Sequence, residues 1–127
     1  LATGEMKLFR SNDPEIADGD QRRDFVHVDD CIANMVWLWR NPAPNALYNS
    51  GTGQARTFLD LTRAVFDAMG RVPHIQFIDM PEDVARQYQN YTQADMSRLR
   101  EAGMPHPPTS LEKGVLRTLG GPDQAAR

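Results

Sequence analysis

Cysteine is almost absent from this sequence of 127 residues, in which Cys31 is the only one. A single cysteine excludes an intramolecular disulfide, which is compatible with a reducing cytoplasm. Long apolar runs are also missing. The longest apolar-rich stretch, residues 31–39, is far too short to span a bilayer, and residues 1–10 lack the apolar core of a signal peptide. We therefore expect a cytoplasmic protein without a membrane partner.

Basic blocks are lacking as well. Lys and Arg number 14 against 17 Asp and Glu, which gives a net charge of −3. We expect no nucleic-acid partner, because binding through phosphates needs clustered positive charge. His27, His74 and His106 have no metal-ligand spacing, and no Ser/His/Asp arrangement stands out. The sequence thus predicts neither a metal site nor a catalytic residue.

What is present is an ordinary globular balance, with 40% hydrophobic and 24% charged residues. Short strands alternate with helices, which predicts an α/β class, α+β-like in detail. We expect one segment over residues 1–119 with a flexible loop at 11–22, followed by a tail at 120–127. The chain begins at Leu1 without an initiator Met. We therefore expect a piece of a longer protein, with apolar surface exposed wherever a missing neighbour would dock.

Several elements can be placed by pattern. Strands are predicted at 7–9, 24–28, 47–49 and 74–79. A helix is predicted over 30–41, where Ile32, Met35, Val36 and Trp39 form one apolar stripe. Further helices are expected to begin at Thr57, Thr92 and Thr109, each followed three residues later by an acid.

Two short motifs allow both a structural and a binding interpretation. Gly51-Thr52-Gly53 lies between a strand and a helix, as in a dinucleotide fingerprint, but the third glycine position is Arg56. We prefer a structural turn. The alternatives are a cofactor loop and a phosphate contact from Arg56 or from the amides of the turn. On composition alone, Arg22-Arg23 is either a solvated pair or a phosphate clamp. The Tyr88–Tyr91 loop is either a ligand contact or a packing element.

Three motifs occur in order: Arg-Asp-Phe-Val-His-Val-Asp-Asp at 23–30, Tyr-Asn-Ser-Gly-Thr-Gly at 48–53 and Thr-Ser-Leu-Glu-Lys-Gly at 109–114. Together they resemble the C-terminal half of the extended short-chain dehydrogenase/reductases that act on nucleotide sugars. The stretches 7–9, 80–88 and 92–103 are similar to the ADP-glycero-manno-heptose 6-epimerases of that family. The resemblance covers nearly the whole chain up to about residue 119.

The resemblance implies the roles of particular residues. The substrate would be an ADP-sugar: Phe9, Arg10, Ser11 and Asn12 would lie along its nucleotide, Arg23 would contact its phosphates, and Tyr88 would reach its diphosphate-sugar region. Gln87 stands directly before this tyrosine, where the family tends to have a basic residue. The cofactor NADP would be bound by a missing N-terminal half, which also supplies the catalytic residues.

The implied reaction inverts C6″ of the heptose through transient oxidation by NADP+, in lipopolysaccharide inner-core precursor synthesis, and the intact enzyme would be a homo-oligomer. We expect the 127-residue segment alone to be inactive. The alternatives are another nucleotide-sugar epimerase or dehydratase, of the UDP-hexose 4-epimerase type, and a non-catalytic binding module.

Overall fold

A computed structural model describes residues 4–120, so most of the tail predicted at 120–127 lies outside the described residues. The strands are β1 (Met6–Phe9), β2 (Arg22–Arg23), β3 (Arg56–Thr57) and β4 (Ile75–Ile78). The helices are α1 (Val28–Arg40), α2 (Phe58–Ala68), α3 (Glu82–Ala85), α4 (Ser97–Glu101) and α5 (Leu111–Thr118). Strands and helices therefore mix as the sequence predicted, and the α/β class is confirmed. In the described part of the chain, no helix is long and apolar enough to cross a membrane.

The described strands form two small sheets. β1 runs parallel to β4, with Met6 opposite Ile75 and Phe9 opposite Ile78. β2 runs antiparallel to β3, and Arg22 also pairs with Tyr91 on its other side. The backbone before Arg23 is therefore held from both sides.

The core forms where α2 packs against α5. Ala64, Leu111 and Val115 are buried together, and Phe66 of α2 is fully buried. The start of α2 follows the predicted capping box. The Thr57 hydroxyl accepts a hydrogen bond from the Asp60 N–H at 2.9 Å, and the Asp60 carboxylate accepts one from the Thr57 N–H at 3.2 Å.

The predicted strand at 24–28 is wrong. Residues 24–27 have no regular structure, and α1 begins at Val28, two residues before the predicted start. The N-cap is His27, whose Nδ1 accepts a hydrogen bond from the Asp29 N–H at 3.2 Å. The strand does not form because the pairing of β2 with β3 ends at Arg23 and His27 already serves as the N-cap of α1.

Three other local predictions are corrected by the structure. Residues 47–49 are not a strand, and Leu47 is 87% exposed. Ser110 caps α5 in place of Thr109, because Thr109 donates its N–H and hydroxyl to the Asp30 carboxylate at 2.7 and 2.8 Å. The helix predicted from residue 92 begins only at Ser97, without a side-chain cap.

Candidate functional site

Arg23 lies over two aromatic rings. Its guanidinium carbon is 5.1 Å from the centre of the Tyr88 ring and 5.8 Å from that of Phe58, within the range of cation–π attraction. Nη1 also donates to the Arg22 carbonyl at 2.8 Å. The two side chains with implied diphosphate roles, Arg23 and Tyr88, therefore meet although 65 residues separate them in sequence.

Phe9 adds a third ring to this cluster. It meets Tyr88 edge to face, with ring centres 6.4 Å apart and planes at 89°. Beside them lies a largely apolar cavity of about 410 Å³, a size typical of small-molecule sites. Its lining consists of Met6, Lys7, Leu8, Phe9, Gln21, Phe58, Leu61, Thr62 and Tyr88.

Asn12 connects the loop after β1 to the segment that carries Tyr88. Its Nδ2 donates to the Ala85 carbonyl at 3.1 Å, and its Oδ1 accepts from Asn90 Nδ2 at 3.0 Å. These two bonds span more than 70 residues of sequence. Asn12 therefore links the loop after β1 to residues on both sides of Tyr88 in sequence.

Arg10 and Ser11 make contacts of a different kind. The Arg10 guanidinium forms ion pairs with Asp18 at 2.9 Å and Asp79 at 3.4 Å. The Ser11 N–H donates to the Asp18 carboxylate at 2.8 Å. Asp18, in the loop between Asn12 and Arg23, thus supplies a carboxylate that binds both Arg10 and Ser11. They lie next to the ring cluster in sequence but are absent from its described contacts.

Charge distinguishes Arg23 from the other arginines considered for anion binding. Arg10 faces two carboxylates, and Arg56 pairs with Asp60 at 3.1 Å and Glu112 at 2.9 Å. Within residues 4–120, Arg23 forms no ion pair with a carboxylate. Its charge is therefore available to an anionic ligand, whereas the charges of Arg10 and Arg56 are offset by protein groups.

The Gly51–Gly53 turn does not provide a dinucleotide phosphate cradle. The N–H groups of Thr52 and Gly53 donate to the Asp24 carboxylate at 2.8 and 2.9 Å. Amides engaged in this way cannot also bind a phosphate. The structural interpretation of this turn is thus supported, and the residues of this motif do not fit a nicotinamide dinucleotide.

Asp24 is the residue of this region that the sequence interpretation missed. Its carboxylate accepts hydrogen bonds from the Thr52 hydroxyl, from the Thr52 and Gly53 amides and, at 3.0 Å, from the Ala94 amide. Burial raises the pKa of this carboxyl, but the bonds from Thr52, Ala94 and Gly53 outweigh burial and bring the pKa below its ordinary value. Asp24 thereby ties the chain next to Arg23 to two distant segments.

Phe58 and Gln21 were also missed. Phe58 is the first residue of α2, and the centre of its ring lies 5.8 Å from the Arg23 guanidinium carbon. Gln21 is only 2% exposed and lines the cavity beside Phe9 and Tyr88. A signal for Asp24 was present, because it directly follows Arg23 in the Arg-Asp-Phe motif. No local pattern singles out Phe58 or Gln21.

Comparison with known proteins identifies the relatives of this chain. Residues 3–51 match the model of the NAD dependent epimerase/dehydratase family. The chain is 54% identical over 112 residues to the ADP-L-glycero-D-manno-heptose-6-epimerase of Nitratidesulfovibrio vulgaris, an alignment that covers 88% of this chain and 35% of that protein. It is 45% identical over 117 residues to the enzyme of that name from Alkalilimnicola ehrlichii, with 92% and 36% covered.

Solved structures agree with these matches. The Helicobacter pylori ADP-L-glycero-D-manno-heptose-6-epimerase is 26% identical with a TM-score of 0.72, and the alignment covers 99% of this chain and 35% of that one. A Thermus thermophilus UDP-glucose 4-epimerase in complex with NAD gives a TM-score of 0.73 at 22% identity, over 91% of this chain and 34% of that one. This second likeness, below 25% identity, shows the shared fold alone.

Residues 3–51 of the chain are therefore similar to the NAD dependent epimerase/dehydratase family. The curated relatives that are 54% and 45% identical to this chain are ADP-L-glycero-D-manno-heptose-6-epimerases. The resemblance predicted from the sequence motifs is confirmed. The chain spans about a third of the length of the curated relatives it matches.

Proposed function

We propose that this chain is the substrate-binding segment of an NADP-dependent epimerase that inverts C6″ of ADP-glycero-manno-heptose, in the supply of lipopolysaccharide inner-core precursors. Its task is to hold the diphosphate and the nucleotide of the ADP-sugar. The observation that carries the proposal is the Arg23 guanidinium. It lies against Tyr88, a residue that lines the cavity, and has no carboxylate partner within residues 4–120.

The chemistry of Arg23 suits a diphosphate. A guanidinium remains charged at every physiological pH and can give two parallel hydrogen bonds to phosphate oxygens. Stacking on Tyr88 and Phe58 restricts the side chain before a ligand arrives, so less conformational entropy remains to be lost on binding. Phe9 and Tyr88 add flat apolar surface for the nucleotide or the sugar.

The chain positions the substrate and does not perform the redox step. NADP, which would supply hydride chemistry, is assigned to the rest of the enzyme because the Gly51–Gly53 turn does not fit it. Binding energy gained at a remote diphosphate can still raise the rate, since it orients the sugar at the reacting centre. The segment by itself should therefore be inactive.

A related activity on a UDP-hexose is the main alternative. The likeness to UDP-glucose 4-epimerase supports it at the level of fold, with a TM-score of 0.73 against 0.72 for the heptose enzyme. Overall fold therefore does not separate the two substrates. The sequence identity of 54% to a heptose epimerase favours the ADP-sugar.

The substrate can be tested in a chimera. This chain replaces the matching third of the Nitratidesulfovibrio vulgaris enzyme, and the purified protein is assayed with ADP-glycero-manno-heptose and with UDP-galactose. We expect turnover of the heptose substrate, while the 127-residue chain alone turns over neither. A chimera that converts only UDP-galactose would refute the proposed substrate, and activity of the chain alone would refute the assignment of catalysis elsewhere.

A further inference from the structure

A buried side-chain amide lies in the wall of the cavity beside Phe9 and Tyr88. Gln21 is only 2% exposed, and it is one of the residues that line this cavity. Its Nε2 is buried and has no hydrogen-bond partner within residues 4–120. Buried polar groups of folded proteins are nearly always paired, because an unpaired one raises the free energy of the folded state. An acceptor on a ligand in the cavity would satisfy this donor.

The backbone fixes the position of Gln21 relative to Arg23. The Gln21 carbonyl accepts a hydrogen bond from the Phe58 N–H at 3.1 Å, which extends the pairing of β2 with β3 by one residue. Side chains two residues apart in a strand point to the same side, about 7 Å from each other. The Phe58 ring contacts both regions, since it lies 5.8 Å from the Arg23 guanidinium carbon and lines the cavity with Gln21. A ligand whose phosphates bind Arg23 can therefore extend to Gln21.

The lining of the cavity favours a flat, weakly polar group over a sugar. Aromatic and aliphatic side chains make up most of this lining, among them the rings of Phe9, Phe58 and Tyr88. Nucleic-acid bases stack on such rings, whereas each hydroxyl of a buried sugar needs a polar partner of its own. In a nucleotide, one ribose separates the base from the first phosphate, which suits the two-residue spacing of Gln21 and Arg23.

We propose that Gln21 binds the adenine base of the substrate, with Nε2 donating a hydrogen bond to a ring nitrogen. A primary amide carries a donor beside an acceptor, and adenine presents a ring-nitrogen acceptor beside an amino donor, so the two groups can pair through two hydrogen bonds. The inference rests on the proposed function, because it requires that the diphosphate of an ADP-sugar binds at Arg23.

Calorimetry with ADP on the chimera, saturated with NADP+ so that ADP cannot enter the cofactor site, tests this contact. Gln21→Met keeps a side chain of similar length and removes both polar groups of the amide. We expect the variant to bind ADP about 3- to 10-fold more weakly, the loss typical of one uncharged hydrogen bond. The control Gln76→Met, at an exposed position of β4, should leave the dissociation constant unchanged. An unchanged constant for Gln21→Met would overturn the inference.

Analogues of ADP identify the acceptor. Replacing N1, N3 or N7 of adenine by a C–H group removes one ring acceptor at a time. We expect one of these analogues to bind the unchanged chimera more weakly than ADP by about the factor seen for Gln21→Met, and the variant to bind this analogue and ADP equally well. The measurement on the unchanged chimera needs no substitution, so it decides the question even where Gln21→Met does not fold. Equal binding of ADP and all the analogues there contradicts the inference.

Stability distinguishes a ligand contact from a structural role. Gln21→Met should leave the melting temperature of the ligand-free chimera unchanged or raise it, because the variant no longer buries a donor without a partner. A lower melting temperature together with unchanged ADP binding would show that the amide pairs with the rest of the protein, against the inference. A chimera that binds UDP but not ADP would refute both this inference and the proposed substrate. Equal ADP binding with and without the Gln21 amide would refute the adenine contact alone.

Discussion

Replacing Asp24 by alanine should be among the most destabilising single changes in this chain. The carboxylate accepts hydrogen bonds from three backbone amides and one hydroxyl, contributed by Thr52, Gly53 and Ala94. Gly51 packs closely against this carboxylate and against Ala94. A Cβ added at Gly51 would lie 2.5 Å from the Ala94 Cβ and 2.7 Å from Asp24 Oδ2.

The magnitude follows from the donors left behind. A part-buried donor that loses its acceptor costs about 1–3 kcal/mol. Three amides at the low end of that range give a loss of about 3 kcal/mol, which is a large share of the 5–15 kcal/mol typical of a domain. Asp24→Asn should cost less, because one amide oxygen remains to accept while the NH₂ group faces an N–H donor.

Urea unfolding at neutral pH, followed by circular dichroism, measures this change. Asp67→Ala, at an exposed position of α2, is the matched control and should have little effect. A loss at Asp24→Ala no larger than that of the control would refute the account of Asp24 as the residue that joins three segments.

Three further predictions concern the stability of the chain. The pKa of Asp24 is lowered in the folded chain, so its contribution to stability is present above the ordinary value of 3.8 and is lost as pH falls below it. The acid limb of a melting-temperature profile should therefore be shallower in Asp24→Asn, and an identical limb would contradict the assignment. Gly51→Ala should destabilise the chain, because the added methyl would overlap Ala94 and Asp24. Gly114→Ala should stabilise α5 by up to about 1 kcal/mol, since its Cβ would meet His27 only at 3.5 Å; thermal melts that rank these two variants in the opposite order would contradict the packing described.

Local signals predicted α2 well. The Thr57 and Asp60 pair is a short-range interaction, so its pattern is visible in the sequence and the structure contains both bonds. The same type of pattern at Thr109 was misleading. There, Asp30, which is 79 residues away in sequence, accepts two hydrogen bonds from Thr109, and Ser110 caps α5 instead. A short stretch of sequence around a helix start does not show that a distant carboxylate will bind the expected capping residue.

The candidate site could be predicted in part. Resemblance to a family proposed Arg23 and Tyr88, and the structure brings them together, while composition alone left Arg23 undecided. Phe58 could not be anticipated, since an aromatic residue at the start of an amphipathic helix is typical of a core position. The contact between Phe58 and Arg23 depends on the pairing of β2 with β3, which brings Arg23 and the start of α2 together.

The binding of an ADP-sugar by the Arg23 variants of the chimera tests the central claim most directly. Calorimetry should give a dissociation constant about 10- to 100-fold weaker for Arg23→Ala, since a charge-assisted hydrogen bond contributes about 1.5–3 kcal/mol. The dissociation constant of Arg23→Lys should lie between those of the unchanged chimera and Arg23→Ala, because lysine keeps the charge and loses the planar guanidinium. Arg10→Ala, which removes a guanidinium already paired with Asp18, should weaken binding much less. An unchanged dissociation constant for Arg23→Ala in a folded chimera would contradict the claim that this guanidinium holds the sugar diphosphate.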